Sequence, residues 1–464
     1  MRFILLLSLF CSSLLAAERP NIILINIDDL GWSDLSYQSE GDFYESPNID
    51  ELAKEGIVFS NAYAGAANCA PSRACLLLGQ WTPRHGVYTV QNSDRGKSKD
   101  RKLIPTKNTM TIPEGEPTLG DLLKSAGYHT ASMGKWHVSK SPLKKGFDVN
   151  IGGTHAGGPY KGGYHSPFDY PSLTEKEKGT YLTDRLTTEA VKFITADRDK
   201  PFFLYLPYFT VHAPLQGKPE LVEHFKQKKA KNKLGDQAHP VLAAMIKTLD
   251  ENIGLIRKSL KDSKLADNTL IIFTSDNGGV YNASPQWPLR AGKGSYYEGG
   301  IREPFIMHWP AKFDKAATID TPITQLDLYP TLASISGAKI PENKVYDGQS
   351  LLPLLSGDNN LKERSLYWHF PIYLQGGNKD CQNGDKKFRT RPGSAIRKGD
   401  WKLIQYFENN DLELFNLASD PSERTNLAQK EKAKTIELLA DLQAWQKKTK
   451  APIPTERNPD FKGD

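Results

Sequence analysis

The chain has 464 residues, of which 38% are hydrophobic and 25% are charged. This length and composition are typical of a globular protein with one large α/β domain and a smaller second one. The net charge of +6 is modest and is compatible with acidic substrates. The sequence carries no zinc finger, no basic helix with heptads and no aromatic RNA-binding motif, so no nucleic-acid partner is predicted.

Residues 1–17 are predicted to be a signal peptide. Arg2 precedes a short apolar stretch from Phe3 to Phe10, and small residues follow, with cleavage near Ala16 or Ala17. The apolar stretch is too short to span a membrane, and no later stretch approaches that length. We therefore expect a periplasmic or secreted protein that is not transmembrane.

Three cysteines remain after the predicted cleavage, because Cys11 leaves with the signal peptide. They are Cys69, Cys75 and Cys381, too few for a disulfide scaffold in so long a chain. The sequence leaves open whether Cys75 and Cys381 are paired or free.

Two predicted strands end in oxygen-bearing side chains. The apolar run from Asn21 to Ile27 ends in Asp28-Asp29, and the run from Thr269 to Thr274 leads to Asp276-Asn277. Adjacent carboxylates repel each other unless a cation holds them, and ligand sites form at the carboxyl ends of strands. The pattern predicts a site for Ca²⁺ or Mg²⁺, with a helix cap or a turn as the alternative at Asp28-Asp29.

The stretch Asn68-Cys69-Ala70-Pro71-Ser72-Arg73 predicts a helix that begins near Pro71 and ends at Gly79. A helix N-terminus attracts anions, and Arg73 adds a fixed positive charge within one turn of Cys69. Cys69 is therefore predicted to be a reactive group that meets an anionic substrate. The alternative is a small apolar residue packed at a helix start.

Two histidines follow predicted strands. The strand from Tyr128 to Met133 leads to Lys135 and His137, which share one side of an extended segment. The strand from Pro201 to Tyr208 leads to His212. The glycine-rich stretch 141–176 is predicted to form part of a pocket rim.

The alternation of strands and helices from residue 20 to about 340 predicts an α/β fold. We expect a large mixed, mostly parallel sheet sandwiched by helices. After residue 360, short strands and a final helix from Lys430 to Lys447 predict a smaller C-terminal α+β subdomain on a short antiparallel sheet. The predicted domains are 18–360 and 361–464.

The string from Cys69 to Arg73, with Gly79 ten residues after the cysteine, resembles the signature of the formylglycine-dependent sulfatases. These enzymes belong to the alkaline phosphatase superfamily. The other motifs match the family along nearly the whole mature chain. The sequence departs at Leu78, where the family often has Thr.

The resemblance implies that a formylglycine-generating maturation enzyme oxidises Cys69 to an aldehyde, which is hydrated in the resting site. It also implies Ca²⁺ in preference to Mg²⁺. An oxygen of the modified residue 69 would complete a ligand set formed by Asp28, Asp29, Asp276 and Asn277.

The resemblance further implies hydrolysis of a sulfate ester, in which one hydroxyl of the hydrated aldehyde attacks sulfur. His212 would protonate the departing alcohol oxygen, and His137 would take the proton of the second hydroxyl. Lys135 and Lys293 would neutralise the sulfate oxygens, and Arg73 would orient the aldehyde.

The expected substrate is a sulfated polysaccharide or its oligosaccharides, with exo action on sulfated galactose or N-acetylgalactosamine as the narrower expectation. The strings at His85 and Tyr181 are similar to those of bacterial carbohydrate sulfatases. A basic, aromatic stretch points the same way, and it contains Tyr373, Lys386, Lys387, Arg389 and Arg391. The alternatives are a phosphate or phosphonate monoester hydrolase, a catalytically dead glycan-binding homologue, and an enzyme that uses the Cys69 thiol unmodified.

Overall fold

A central sheet forms the core of the protein. Its longest strands are rich in Ile, Leu and Phe, and their side chains are buried on both faces of the sheet. The computed structural model describes residues 19–463 except 40, 42, 161, 236, 237, 314, 359 and 360. The predicted signal peptide, at 1–17, lies outside the described residues.

The strands are numbered in chain order. They are β1 (Asn21–Ile27), β2 (Ile57–Phe59), β3 (Ala62–Tyr63), β4 (His129–Met133), β5 (Val149–Ile151), β6 (Phe168–Tyr170), β7 (Leu173–Glu175), β8 (Phe202–Pro207), β9 (Thr269–Ser275), β10 (Arg302–Glu303), β11 (Phe305–His308), β12 (Ala317–Ile319), β13 (Ile323–Thr324), β14 (Ser365–Phe370), β15 (Leu374–Gln375), β16 (Phe388–Thr390), β17 (Gly393–Lys398), β18 (Trp401–Tyr406) and β19 (Asp411–Asn416).

The helices are numbered in the same way. They are α1 (Pro47–Glu55), α2 (Cys69–Leu78), α3 (Thr82–His85), α4 (Leu119–Ser125), α5 (Leu182–Thr195), α6 (Pro219–Lys231), α7 (Pro240–Asp262), α8 (Glu298–Ile301), α9 (Leu328–Ser336), α10 (Leu352–Leu355) and α11 (Lys432–Thr449). No helix in the described part of the chain combines the length and apolar character needed to cross a bilayer.

The central sheet has eight strands in the order β12-β2-β11-β9-β1-β8-β4-β5. Strand β11 runs antiparallel to both of its neighbours, β2 and β9, and the remaining pairs in this sheet are parallel. The predicted mixed, mostly parallel sheet is confirmed.

The two faces of β1 belong to two separate cores, since successive side chains of a strand point to opposite faces. Ile23, Ile25 and Ile27 pack with buried residues of α1, α5 and α7. Ile22 and Leu24 pack with buried residues of α2, α4 and α9. Helices therefore cover both faces of the sheet, as predicted.

A second sheet, in the order β14-β17-β18-β19, is antiparallel throughout and confirms the predicted C-terminal sheet. Leu438 and Leu442 of α11 share its core with Tyr63 and Trp81 from the N-terminal part of the chain. The indole N–H of Trp368 in β14 also donates a hydrogen bond to the carbonyl of Ala64, at 2.9 Å. These contacts join the C-terminal sheet to the segments on both sides of α2.

Three details go beyond or differ from the sequence analysis. Helix α2 begins at Cys69 rather than near Pro71, because the carbonyl of Asn68 already accepts a hydrogen bond from the Ser72 amide at 3.1 Å. Cys75 and Cys381 are both free, which answers the question that the sequence left open. The stretch 141–176 also contains the short hairpin β6–β7.

Candidate active site

The carboxyl ends of β1 and β9 bring four polar side chains together. The two strands are parallel neighbours, with Ile27 opposite Ser275, so the residues that follow them meet at one sheet edge. Carboxylate oxygens of Asp28, Asp29 and Asp276 lie within 4.8 Å of one another. The backbone N–H of Asp29 donates a hydrogen bond to Asp276 Oδ1 at 3.2 Å.

This cluster fits a hard divalent cation. The Oδ1 atom of Asn277 is buried without a hydrogen-bond partner in the described part of the chain, while its Nδ2 donates to Asp29 Oδ1 at 2.8 Å. Burial raises the pKa of Asp28 and of Asp276, despite the nearby Lys135 and Arg73 charges. Buried carboxylates and an orphaned amide oxygen are the ligands that Ca²⁺ and Mg²⁺ prefer.

Cys69 lies beside the cluster at the first residue of α2. Its Sγ is 3.9 Å from Asp29 Oδ1 and 3.1 Å from the ammonium nitrogen of Lys293. Burial raises the pKa of the thiol, but the charges of Lys135 and Lys293 outweigh burial and lower the pKa to about 6. Residue 69 is thus held in a positively charged setting next to the acidic cluster.

Arg73 and Lys135 are fully buried and contact the carboxylates of the cluster. Both carboxylate oxygens of Asp28 accept from Lys135 Nζ, at 2.8 and 2.6 Å. Arg73 donates from Nε to Asp276 Oδ2 at 2.8 Å and from Nη1 to the carbonyl of Lys135 at 3.0 Å. Each buried cation is therefore paired with a carboxylate, and this ion pair offsets part of the free-energy penalty of burying the cation.

Lys135 reaches this position because the chain turns sharply after β4. Gly134 has φ +121°, in the region that favours glycine. The amide of Lys135 then donates to the carbonyl of Pro207 in the neighbouring β8, at 2.7 Å. The turn ties Lys135 to the sheet edge next to β1.

His137, His212 and Lys293 line an open cavity of about 550 Å³ that reaches Cys69. His137 Nδ1 is buried without a hydrogen-bond partner in the described structure, and burial together with Lys135 holds the pKa of His137 well below its ordinary value. His137 is therefore neutral near pH 7.

His212 has the opposite electrostatic setting. Its Nδ1 lies 2.7 Å from the carbonyl of Ala213, which can only accept, so Nδ1 carries a proton. Its Nε2 lies 3.8 Å from Asp29 Oδ2. Burial lowers the pKa of His212, but the charges of Asp28 and Asp29 outweigh burial and raise it.

The cavity wall comes from several separate segments. The glycine-rich stretch contributes His155, Gly157 and Tyr160, which confirms the predicted rim. Of the basic, aromatic stretch, Arg389 lines the cavity, whereas Arg391 pairs with Asp385 and Glu408. Tyr373 is buried, with its hydroxyl bonded to Glu408. This stretch therefore faces the cavity only in part, because buried carboxylates bind Arg391 and Tyr373.

Further residues at the site could not be predicted from the sequence. Arg95 and Gln375 line the cavity, but no motif surrounds either of them. Asp34 accepts from the Gly31 amide at 2.8 Å and from the Ser284 hydroxyl at 2.6 Å, which ties the loop after β1 to the loop after β9. The only feature of the sequence that could have indicated this role of Asp34 is its position five residues after Asp29.

The chain is similar to known proteins over most of its length. The sulfatase family model matches residues 20–338, and a model described as the N-sulphoglucosamine sulphohydrolase C-terminal region matches residues 292–450. A protein named sulfatase from Formosa agariphila is 33% identical, over 97% of this chain and 94% of its own length. Human N-acetylgalactosamine-6-sulfatase is also 33% identical, over 76% of this chain and 69% of its own.

A solved structure is similar over most of the chain. The crystal structure of Ps i-CgsB in complex with k-i-k-neocarrahexaose has a TM-score of 0.75 and 32% sequence identity. The match covers 92% of this chain and 93% of the other.

Proposed function

Because the chain belongs to the sulfatase family, whose members hydrolyse sulfate esters, we propose that it removes sulfate from sulfated carbohydrates. One observation carries the proposal. Cys69 and His212 line one open cavity, and the acidic cluster lies next to Cys69, although these residues are far apart in sequence. This arrangement suits an anionic ester that needs a nucleophile, positive charge and a proton donor.

We propose that Cys69 is converted by a maturation enzyme to formylglycine, whose hydrated aldehyde would supply the nucleophilic hydroxyl. The position of Cys69 supports this. Its side chain lines the cavity at the start of α2, where backbone N–H groups have no partner within the helix. An anionic ester bound there would place its sulfur next to residue 69.

We assign Asp28, Asp29, Asp276 and Asn277 as the residues that would hold Ca²⁺. A bound ion would supply positive charge against the anionic ester. The orphaned Asn277 oxygen and the three clustered carboxylates support this assignment.

The two histidines take different roles in this proposal. His212 donates a proton to the departing alcohol oxygen, because its pKa is raised and its protonated Nδ1 is fixed by the Ala213 carbonyl. His137 accepts a proton, because its pKa is lowered and it is neutral when substrate binds. Their pKa values are shifted apart in the way that an acid and a base require.

The cations also divide into two kinds. Lys293 lines the cavity and is assigned to the sulfate oxygens. The bonds of Lys135 and Arg73 to Asp28 and Asp276 favour a positioning role for both, with Lys135 adding positive charge behind residue 69. This revises the expectation that Lys135 contacts sulfate and that Arg73 orients the aldehyde.

The proposed substrates are sulfated galactose or N-acetylgalactosamine units at the ends of saccharide chains. The names of two similar proteins, an N-acetylgalactosamine-6-sulfatase and a structure with a neocarrahexaose, support a galactose-type sugar. We propose that the enzyme acts outside the cytoplasm, in the periplasm or after secretion.

Sulfate release from defined sulfated mono- and disaccharides tests the proposal. The protein is co-produced with a formylglycine-generating enzyme, and mass spectrometry of the peptide around residue 69 verifies the aldehyde. Galactose and N-acetylgalactosamine sulfates should be desulfated, and Cys69→Ala should abolish turnover. Faster hydrolysis of phosphate or phosphonate monoesters, or no turnover with verified aldehyde, would contradict it.

A further inference from the structure

Arg95 and Arg389 lie next to each other on the wall of the cavity that His137 and His212 also line. Arg95 donates from Nε to the side-chain oxygen of Gln375 at 3.0 Å. Arg389 donates from Nε to the backbone carbonyl of the same Gln375, also at 3.0 Å. Gln375 thus holds both guanidinium groups next to one cavity, which all three residues line.

Neither guanidinium has a carboxylate within 4 Å among the described residues. The contrast with Arg391, two residues beyond Arg389, is direct, because Arg391 pairs with Asp385 and Glu408. Arg95 Nη1 is buried and has no hydrogen-bond partner in the described part of the chain. The pair therefore carries positive charge and hydrogen-bonding capacity that the fold itself leaves unused.

The close approach of these two positive charges is electrostatically unfavourable unless an anion binds beside them. Burial lowers the pKa of Arg95, and the like charge of Arg389 lowers it further. Burial lowers the pKa of Arg389 as well. Partly desolvated like charges repel each other, so an anion placed between or above them would be bound favourably.

Arg389 is also joined to the reaction centre through Lys293. Its Nη1 donates to the backbone carbonyl of Lys293 at 3.1 Å, and the ammonium of Lys293 lies 3.1 Å from Cys69 Sγ. A lysine side chain spans roughly 6 Å between Cα and Nζ. Arg389 therefore contacts the residue whose ammonium lies beside Cys69, and both arginines line the same cavity as Cys69.

We propose that Arg95 and Arg389 form a second oxyanion subsite, which selects saccharides that carry another sulfate or carboxylate group next to the scissile sulfate ester. The inference rests on the proposed function and narrows it to polyanionic saccharides. A guanidinium group binds either oxyanion through paired N–H groups, so the two arginines suit both.

Three disaccharides with the same scissile galactose sulfate test the subsite. Their second sugar is neutral, sulfated or a uronic acid. We expect the wild-type enzyme to prefer one or both dianionic substrates by about tenfold or more in kcat/KM, the size expected of a charge-assisted hydrogen bond. A preference for one of them identifies the second oxyanion as sulfate or carboxylate.

The variant to compare is Arg95→Gln, since Arg389 also supports the backbone of Lys293. We expect the ratio of dianionic to neutral kcat/KM to fall toward one in Arg95→Gln and to fall less in Arg95→Lys. Lys386→Gln is the matched control, because Lys386 is an exposed cation of the same stretch that does not line the cavity. It should keep the wild-type ratio.

The outcomes separate the two proposals. Equal kcat/KM for all three disaccharides, or an unchanged ratio in Arg95→Gln with an unchanged thermal unfolding midpoint, would overturn the subsite and leave sulfate hydrolysis intact. If no disaccharide or monosaccharide sulfate is hydrolysed by protein with verified aldehyde, the proposed function itself fails.

Discussion

The ammonium nitrogen of Lys293 lies 3.1 Å from the Sγ of Cys69, although the two residues are 224 positions apart. Lys293 also donates to Asp29 Oδ2 at 2.8 Å. One cation therefore touches both the residue assigned as nucleophile and a residue assigned to the metal. Before maturation, burial raises the pKa of the Cys69 thiol, but Lys135 and Lys293 together lower it.

The first prediction concerns the thiol of unmatured, calcium-free protein. Because its pKa is lowered to about 6, Cys69 should be mostly thiolate at pH 7. The rate of its alkylation by iodoacetamide, followed by peptide mass spectrometry, should rise through pH 6 and level off by about pH 8. Lys293→Met should move the midpoint upward, since it removes a charge that stabilises the thiolate.

Cys75 is the internal control for this measurement. It is buried, and burial raises its thiol pKa well above the ordinary value, so it should stay unmodified across the same range. An alkylation midpoint for Cys69 near that of a free cysteine would contradict the electrostatic role of Lys293.

The second prediction concerns His212 as the proton donor. His212→Ala should lower kcat by about 10²–10⁴-fold on sugar sulfates, whose alcohols are poor leaving groups that need a proton. The loss should be much smaller on 4-nitrophenyl sulfate, whose leaving group departs as a stable anion. Equal losses on both substrates, measured at saturating concentration, would remove His212 from the acid role.

The third prediction concerns the metal ligands. Removing Ca²⁺ with a chelator should lower activity and the unfolding temperature together, and added Ca²⁺ should restore both. Free ion at a hundred times its Kd stabilises a protein by about 2.7 kcal/mol, if it binds only the folded state. Asn277→Ala should shrink the stabilisation by Ca²⁺, measured by calorimetry. Activity and stability that ignore the chelator would refute the assignment.

The fourth prediction concerns Gly134. A Cβ at this position would lie 2.1 Å from the carbonyl oxygen of Pro207, at a φ that L residues rarely adopt. Gly134→Ala should therefore displace Lys135 and reduce both stability and sulfate release. Gly115→Ala is the control, because Gly115 also has positive φ but its Cβ would meet nothing within 4 Å. In chemical denaturation, Gly115→Ala should lower the free energy of unfolding by about 1 kcal/mol. Equal costs in both variants would contradict this account.

The fifth prediction concerns a buried ion cluster that joins the C-terminal sheet to α8. Lys402 of β18 lies buried between Glu298, at 3.0 Å, and Glu423, at 2.9 Å. Lys402→Met removes the buried cation that lies between the two carboxylates and should destabilise the protein by about 3–5 kcal/mol in chemical denaturation. Lys398→Met, which breaks a more exposed pair with Glu437 and Asp441, should cost about 0–1 kcal/mol. A small loss in Lys402→Met would show that the buried triad contributes little.

The secondary structure and the residues of the site could be read from the sequence to a large extent. Apolar runs such as Asn21–Ile27 and Thr269–Ser275 specify strands through local side-chain patterns. The polar residues directly after them, Asp28 and Asp276, therefore had a predictable place at the sheet edge. The family signature at Cys69 is equally local, since its residues are consecutive.

The ion-pair partner of each charged side chain could not be predicted from the local sequence. Arg73 and Asp276 are 203 positions apart, and their ion pair exists because α2 packs on a face of the sheet that includes Leu270 and Ile272 of β9. Arg389 and Arg391 look alike in sequence, yet Arg389 lines the cavity while Arg391 pairs with Asp385 and Glu408.

The sequence by itself determined the elements, the family and the chemical groups of the site, because these depend on neighbouring residues. Only the tertiary structure decided which cations are paired with buried carboxylates and which remain to meet a substrate. Electrostatic interaction depends on distance and burial in space, and both follow from strand order rather than from position along the chain.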